Sequence, residues 1–106
     1  MMAQLRIHAN LNGDTKAEFP FLLDVQTDLL SDLETRMVIP LASHSNPKYK
    51  SISQLTPLIE VKGRKFLALT PLMAGISKRV LGPEVADASK LRHDLIGAVD
   101  LLITGF

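Results

Sequence analysis

Hydrophobic and polar residues alternate at the start of the chain, where residues 4–9 read QLRIHA. This period of two places Leu5, Ile7 and Ala9 on one face of a half-buried strand. The Asn12-Gly13 pair that follows is the strongest short signal for a hairpin turn, and residues 19–25 are expected to form the returning strand. Residues 24–30 (DVQTDLL) also have the apolar content of a strand, although their polar residues interrupt it.

A second apolar run, residues 37–42 (MVIPLA), has the composition of a buried strand. Pro40 lies inside this run and has no N–H group to donate to a neighbouring strand. We therefore expect this strand to lie at the edge of its sheet or to carry a bulge. Residues 43–54 are rich in Ser, Asn, Lys and Pro, which predicts a long exposed loop.

A second hairpin is predicted further along the chain. Two apolar segments, residues 58–61 and 66–69, flank the charged sequence KGRK at residues 62–65. Several short strands with regular turns are typical of a small all-β barrel or sandwich.

The pattern changes to a helical period near the C-terminus, and we predict one helix over residues 89–104. Ser89 is its expected N-cap, with favourable negative charge from Glu84 and Asp87 nearby. One apolar face is predicted to pack on the core and contains Leu91, Leu95, Ala98, Val99 and Leu102. Leu101 and Ile103 widen this face toward the end of the helix, and Gly105 is expected to terminate it.

Length and composition limit the class of protein. A chain of 106 residues is expected to form one domain over residues 1–106. It has no cysteine, so disulfides and thiolate metal sites are excluded, which fits a cytoplasmic protein. No secretory signal and no run of about 20 apolar residues is visible, so we expect no membrane contact. A net charge of +1, scattered Lys and Arg and only five aromatic residues argue against direct nucleic-acid binding and favour a protein partner.

The residues that most often perform catalysis give a weak signal. His8, His44 and His93 lack the spacing of metal ligands, and each is expected to be a solvated surface residue. Arg36 has two interpretations. It either forms a buried or partly buried ion pair with a carboxylate such as Asp28 or Asp32, fixing the connecting loop, or it cleaves RNA. We expect no cofactor and no metal.

Several blocks of the sequence, in this order, resemble the CcdB family of gyrase-poisoning toxins. Residues 24–30 (DVQTDLL) and 36–41 (RMVIPL) carry the strongest likeness. It continues through residues 70–74 (TPLMA), residues 82–87 (GPEVAD) and the terminal Gly105-Phe106 pair. One such block would be a weak signal, but the ordered set covers nearly the whole chain.

The resemblance implies a mainly β fold, an SH3-like antiparallel β-barrel with a small extra sheet and one C-terminal helix. It also implies a homodimeric toxin of a type II toxin–antitoxin system. Such a toxin binds the A subunit of DNA gyrase and traps the gyrase–DNA cleavage complex without catalysing a reaction. Its antitoxin would be CcdA-like, with a disordered acidic tail that folds on the toxin.

The gyrase-binding positions of the family can be carried onto this chain as Leu29, Leu30, Asp100, Ile103, Thr104, Gly105 and Phe106. Members of the family carry Asn, Phe and Trp where this chain has Asp100, Ile103 and Thr104. A missing Trp removes a surface on which a partner Arg could stack. Phe106 replaces a terminal Ile and is the aromatic residue of the last turn, so we expect it to be either a binding hot spot or a core contact.

Basic residues of two predicted exposed segments are candidates for steering the acidic tail of an antitoxin: Lys48, Lys50, Lys62, Arg64 and Lys65. An alternative is that these are ordinary solvated loop charges. Two alternatives for the whole protein also stay open. The CcdB fold is shared with MazF-type endoribonucleases, so the first alternative to a gyrase poison is a ribonuclease. The second is a non-toxic homologue that binds only the antitoxin and modulates its operon.

Overall fold

A computed structural model describes residues 4–30 and 32–105 of the chain. These residues form seven strands and one α-helix: β1 Arg6–Asn10, β2 Phe21–Asp24, β3 Thr35–Ser43, β4 Leu58–Val61, β5 Arg64–Ala68, β6 Ala74–Ser77, β7 Leu81–Asp87 and α1 Arg92–Thr104. Short 3₁₀ turns lie at Asp28–Leu30, Thr70–Leu72, Lys78–Val80 and Ser89–Leu91. The predicted mainly β fold with a C-terminal helix is confirmed.

The strands form a curled antiparallel sheet in the order β4-β5-β3-β2-β1-β7, and β6 pairs with the first half of β3. This arrangement is consistent with the predicted SH3-like barrel. β6 lies off the main strand order and is joined to the sheet through β3, because β3 is nine residues long and has room for two partners on one side.

The strand that contains Pro40 lies in the middle of the sheet, so the prediction of an edge or bulged strand is wrong. Pro40 pairs with Leu22 of β2 on one side. On the other side, β6 ends its pairing at Val38 and β5 begins at Leu41. The carbonyl of Pro40 accepts from the Leu69 N–H at 3.0 Å on that side, and the N–H and C=O of one strand residue point the same way. The missing N–H therefore faces the gap between two partner strands, where no ladder bond is lost.

The main core lies between the concave face of the sheet and α1. Leu95 and Ala98 of the helix are fully buried, and Leu95 packs in one cluster with buried residues from β1 to β5. Phe21 and Phe66 meet edge to face with ring centroids 5.2 Å apart. Leu102, which we expected on the core face of the helix, is 39% exposed, so the core contact of α1 is shorter than predicted.

The hairpin between β4 and β5 is confirmed. Val61 pairs with Arg64, and the two residues between them, Lys62 and Gly63, both have positive φ, as a type I′ turn requires. Arg64 and Lys65 belong to β5 rather than to the turn.

β1 and β2 pair as predicted, but the tight turn at Asn12-Gly13 and the strand over residues 19–25 are wrong. Ten residues separate Asn10 from Phe21, and the strand is Phe21–Asp24. The Asn10 side chain donates to Thr15 Oγ1 and to the Phe19 carbonyl at 3.0 and 2.8 Å, which stabilises a longer loop. Side chains of Asn often organise loops by such bonds to the backbone.

The α-helix begins at Arg92 instead of residue 89, because a 3₁₀ turn comes first. Ser89 is not the cap. The N–H of Ser89 donates to Asp87 Oδ1 at 2.8 Å, so Asp87 satisfies a free donor at the start of this segment. Hydrogen bonds from the backbone and the side chain of Ser89 lower the pKa of the Asp87 carboxyl. At the other end, Gly105 has φ +79° and its N–H donates to the Leu101 carbonyl, as predicted for a helix-terminating Gly.

The loop between β3 and β4 forms no helix or strand, as predicted. It is held against the loop between β1 and β2, since Lys48 Nζ lies 2.7 Å from Glu18 Oε2 and the Tyr49 hydroxyl donates to the same oxygen. Tyr49 and Phe19 cover a second, smaller core cluster of Ala42, Leu67 and Leu69.

Candidate functional site

An exposed apolar turn follows β2, and we call Asp28–Leu30 the apolar turn. Leu29 is 92% exposed and Leu30 is 47% exposed. The block DVQTDLL is therefore a strand only as far as Asp24. The remainder leaves the sheet, which is why its polar residues did not fit the strand pattern.

A buried ion pair lies at the base of this segment. Arg36 Nε and Nη2 donate to the two oxygens of Asp24 at 2.7 and 2.9 Å. Arg36 is 3% exposed and Asp24 is 1% exposed. The expected buried Arg–carboxylate pair is confirmed, but its carboxylate is Asp24 rather than Asp28 or Asp32. A bidentate pair of this kind fixes the orientation of both side chains.

Gln26 connects the same segment to β3 through both its backbone and its side chain. Its N–H donates to Asp24 Oδ1 at 3.1 Å, and its carbonyl accepts from Arg36 Nη2 at 3.1 Å. Its side-chain Oε1 accepts from the Met37 N–H at 3.0 Å, and its Nε2 donates to the Leu30 carbonyl at 3.0 Å. We call these four bonds the Gln26 clamp.

The first residue of the described chain, Gln4, gives the apolar turn a second connection. Its backbone N–H donates to Asp28 Oδ1 at 3.2 Å and its Nε2 donates to the Val25 carbonyl at 3.3 Å. Arg92 at the start of α1 donates to Gln4 Oε1 at 3.1 Å. Neither Gln4 nor Gln26 was identified from the sequence, because a side-chain bond to the backbone of a distant segment has no local pattern.

An apolar cleft of about 230 Å³ separates this loop from α1. Its walls include Val25, Gln26 and Met37 on one side and Leu95, Ile96 and Val99 on the other. Ile96 and Met37 are each 38% exposed, so apolar surface continues outward from the cleft.

The end of α1 presents the other predicted contact residues. Ile103 is 71% exposed, and Asp100, Thr104 and Gly105 are also exposed. Thr104 Oγ1 donates to the Asp100 carbonyl at 2.7 Å, which is a hydrogen bond to the backbone of its own helix. Phe106 lies outside the described residues.

The two groups of predicted contact residues lie on different elements. The apolar turn meets α1 through Gln4 and Arg92, and the cleft beside it reaches Val99. Ile103 follows Ile96 by seven residues, which is about 10 Å along a helix. Both groups expose apolar side chains, as a binding surface requires. That one partner contacts both groups stays a prediction.

The basic residues proposed to meet an antitoxin differ in their surroundings. Lys48 forms the ion pair with Glu18, which raises the pKa of Lys48 and lowers that of Glu18, so the charge of Lys48 is partly neutralised within the chain. Arg64 lies over the Phe66 ring at 5.3 Å. Lys50, Lys62, Arg64 and Lys65 are exposed.

The histidines do not form a site with carboxylates. Among residues 4–30 and 32–105, no three His, Asp or Glu side chains are placed to hold a metal ion. His44 and His93 are exposed as expected. His8 of β1 is not fully solvated, because it is half-buried and its Nδ1 lies 3.0 Å from the carbonyl oxygen of Gly82 in β7.

Burial of Arg36 bears on the ribonuclease alternative. A residue that cleaves RNA must reach the phosphodiester, whereas Arg36 is 3% exposed and its Nε and Nη2 donate to Asp24 and to the Gln26 carbonyl. The structure therefore bears out the structural interpretation of Arg36, as one member of a buried ion pair. Among the described residues, no helix is long and apolar enough to cross a bilayer.

Comparison with models of known protein families gives a match to the CcdB protein over residues 4–105, nearly the whole chain.

Proposed function

The chain belongs to the CcdB family, and from that premise we propose that it is the toxin of a type II toxin–antitoxin pair that binds the A subunit of DNA gyrase. Family membership supports a toxin acting on gyrase, and the choice of subunit is the more specific part of the proposal. We further propose that it acts in the cytoplasm, where gyrase and DNA are found.

The observation that carries the proposal is the exposure of Leu29. A leucine that is 92% exposed gains nothing from folding of its own chain, yet it lies on a segment held by a buried ion pair and the Gln26 clamp. A rigid exposed apolar side chain is typical of an anchor for a protein partner. Ile103 at the end of α1 supplies a second exposed apolar side chain.

The proposed mechanism needs binding alone and no catalytic residue. If the toxin binds gyrase in its cleaved-DNA state more tightly than in its other states, it shifts the population of gyrase toward that state. The covalent chemistry then belongs entirely to gyrase. The contact residues would be Leu29, Leu30, Asp100, Ile103, Thr104, Gly105 and Phe106.

We also propose a homodimer, which presents two copies of this surface. The apolar face of α1 supports it, because Leu102 and Ile96 stay partly exposed in the single chain. An isologous interface would bury such a self-complementary patch.

The proposed antitoxin is CcdA-like, with an acidic tail. Lys62, Arg64 and Lys65 on the β4–β5 hairpin, together with Lys50, are exposed and could steer it during association. Lys48 is the weakest member of this group, since Glu18 already accompanies it.

The experiment that tests the function combines purified gyrase with purified protein. We expect accumulation of cleaved DNA covalently attached to gyrase, and loss of this effect in a gyrase A variant from a resistant cell. RNA cleavage in the absence of gyrase would instead favour a ribonuclease. Binding to the antitoxin without any effect on gyrase would favour a non-toxic homologue.

Phe106→Ala separates a contact role from a structural one at the C-terminus. As a hot spot, Phe106 should contribute at least ~2 kcal/mol to gyrase A binding, which is about thirtyfold in affinity. The thermal midpoint should then be unchanged. A lowered midpoint with unchanged affinity of the folded protein would contradict the contact role and leave Leu29, Leu30 and Ile103 as the anchors.

A further inference from the structure

The apolar turn has an exposed outer side and a polar connection on its inner side, and Gln26 makes most of that connection. Asp24 and Arg36 hold the backbone of Gln26. The Gln26 side chain then reaches forward to the Leu30 carbonyl and across to the Met37 N–H. Gln26 itself is half-buried, so it is more a link between segments than a surface for a partner.

We propose that Gln26 is a positioning residue that holds Leu29 and Leu30 in the conformation in which they bind their protein partner. This inference rests on the proposed function, because it takes the apolar turn to be the contact with gyrase A. An interface loop that is already ordered avoids the entropy cost of ordering it during association. Gln26 acts on binding through this order, without touching the partner.

A glutamine side chain suits this position because the two groups that it meets have opposite hydrogen-bonding character. The Met37 N–H needs an acceptor, and the Leu30 carbonyl needs a donor. An amide offers both on one planar group. Glu at this position keeps the acceptor and loses the donor, whereas Met keeps the length of the side chain and loses both.

Two variants, Gln26→Met and Gln26→Glu, therefore release different bonds. We expect the Met37 amide to exchange its hydrogen at least about fivefold faster in Gln26→Met and to stay protected in Gln26→Glu. The amides of Leu30 and Leu33, which close turns onto Thr27 and Leu30, should exchange faster in both variants. The Leu69 amide, which donates to Pro40, serves as an internal reference that should not change.

Binding is measured on the same variants with a purified fragment of gyrase A. We expect affinity about tenfold weaker for both, since at least two apolar side chains must then be ordered during binding. The thermal midpoint should stay close to wild type, because the Asp24–Arg36 pair is intact. Gln54→Met makes the same chemical change at an exposed glutamine of the β3–β4 loop and should leave both affinity and exchange unchanged.

The doubly substituted Leu29→Ala/Leu30→Ala protein separates the possible failures. If the wild type does not bind gyrase A, the proposed function is wrong and the inference falls with it. If the wild type binds but the double variant binds equally well, the inference is overturned while the proposed function stands. Faster exchange in the Gln26 variants with wild-type affinity would also overturn it, as would weaker affinity with unchanged exchange.

Discussion

At the residue scale, the buried Asp24–Arg36 ion pair helps to orient the exposed apolar turn. Both side chains are removed from water, and burial of two charges costs free energy that their attraction only partly offsets. Arg36 also donates to the carbonyl of Gln26, so the pair extends its order to the segment that leaves the sheet. Its contribution is therefore to the orientation of that segment as much as to stability.

Removing one member of this pair should be far more damaging than removing both. Arg36→Met leaves the Asp24 carboxylate buried without its cation, and we expect a loss of about 3–5 kcal/mol in the free energy of unfolding. The double variant Asp24→Leu/Arg36→Met leaves no orphaned charge and should lose less than Arg36→Met alone. Urea denaturation of both variants measures this, and a double variant that loses as much unfolding free energy as Arg36→Met, or more, would contradict it.

A second residue-scale prediction concerns acid stability. Lys48, followed by Tyr49, lowers the pKa of the Glu18 carboxyl from its ordinary value of 4.5. A carboxyl whose pKa is lower in the folded state stabilises the fold above its unfolded pKa and loses this effect as the pH falls through the folded pKa. We therefore expect the thermal midpoint of the wild type to decrease as the pH is lowered below about 4.5. This decrease in the midpoint should be smaller in Glu18→Gln.

Lys48→Met provides the matched control for the acid prediction. It removes the cation that lowers the pKa of Glu18, so it should also flatten the dependence of the midpoint on pH. A residual fall is still expected from Asp87, because hydrogen bonds from Ser89 lower the pKa of its carboxyl. If Glu18→Gln and wild type lost stability in parallel from pH 7 to pH 3, the ion pair would have no role in acid stability.

At the element scale, local sequence patterns correctly predicted the strands, turns and helix that are determined by interactions between residues close in sequence. The β4–β5 hairpin follows from two apolar segments around Lys62-Gly63, because Gly favours the positive φ of that turn. The alternation in β1 and the helical period near the C-terminus also identified their elements. Exposure of Leu29 and Leu30 was expected from the family resemblance, and periodicity alone had placed them in a strand.

Bonds between distant segments account for the errors. Asn10 holds a ten-residue loop through Thr15 and Phe19, which overrides the Asn12-Gly13 turn signal. Pro40 occupies a gap between β5 and β6 that no pattern near Pro40 reveals. The Gln26 clamp belongs to the same class, since Gln26 Oε1 accepts from the Met37 N–H of β3 and Gln26 Nε2 donates to the Leu30 carbonyl.

The close packing of Gly82 in β7 against β1 leads to a prediction at the element scale. A Cβ at Gly82 would lie 3.0 Å from both the Ala9 carbonyl oxygen and Leu11 Cδ2, whereas a Cβ at Gly75 in β6 would meet open space. Gly82→Ala should therefore cost about 1–3 kcal/mol of unfolding free energy, because the backbone of β1 must move. Gly75→Ala, the control, should be neutral in the same urea titration. Equal effects would show that β7 adjusts freely.

At the scale of the whole molecule, the distribution of apolar side chains points to contacts between chains. The described chain has a radius of gyration of 12.8 Å, close to the value of about 13 Å for a folded monomer of this length. Its core is complete around Leu95 and Phe66, yet Ile96, Leu102 and Ile103 of α1 stay exposed. Apolar surface that a complete core leaves on one helix is typical of a face that binds another protein.

We expect the wild-type protein to be a dimer at micromolar concentration, with twice the chain mass of 11.6 kDa in light scattering. Leu102→Glu places a charge in the apolar face of α1 and should weaken the dimer about thirtyfold or more, since burying an unpaired carboxylate costs at least the contribution of a hot spot. Leu102 is the useful position because it is 39% exposed and is not among the proposed gyrase contacts.

Ile52→Glu makes the same kind of change on the loop between β3 and β4, at a side chain that is 51% exposed, and should leave the dimer unchanged. A wild-type monomer at micromolar concentration would contradict the dimer itself. A stable Leu102→Glu dimer would instead place the interface away from this face of α1. The apolar turn and the end of α1 lie on different elements. The location of the dimer interface therefore decides how these two groups of contact residues are arranged in the assembly.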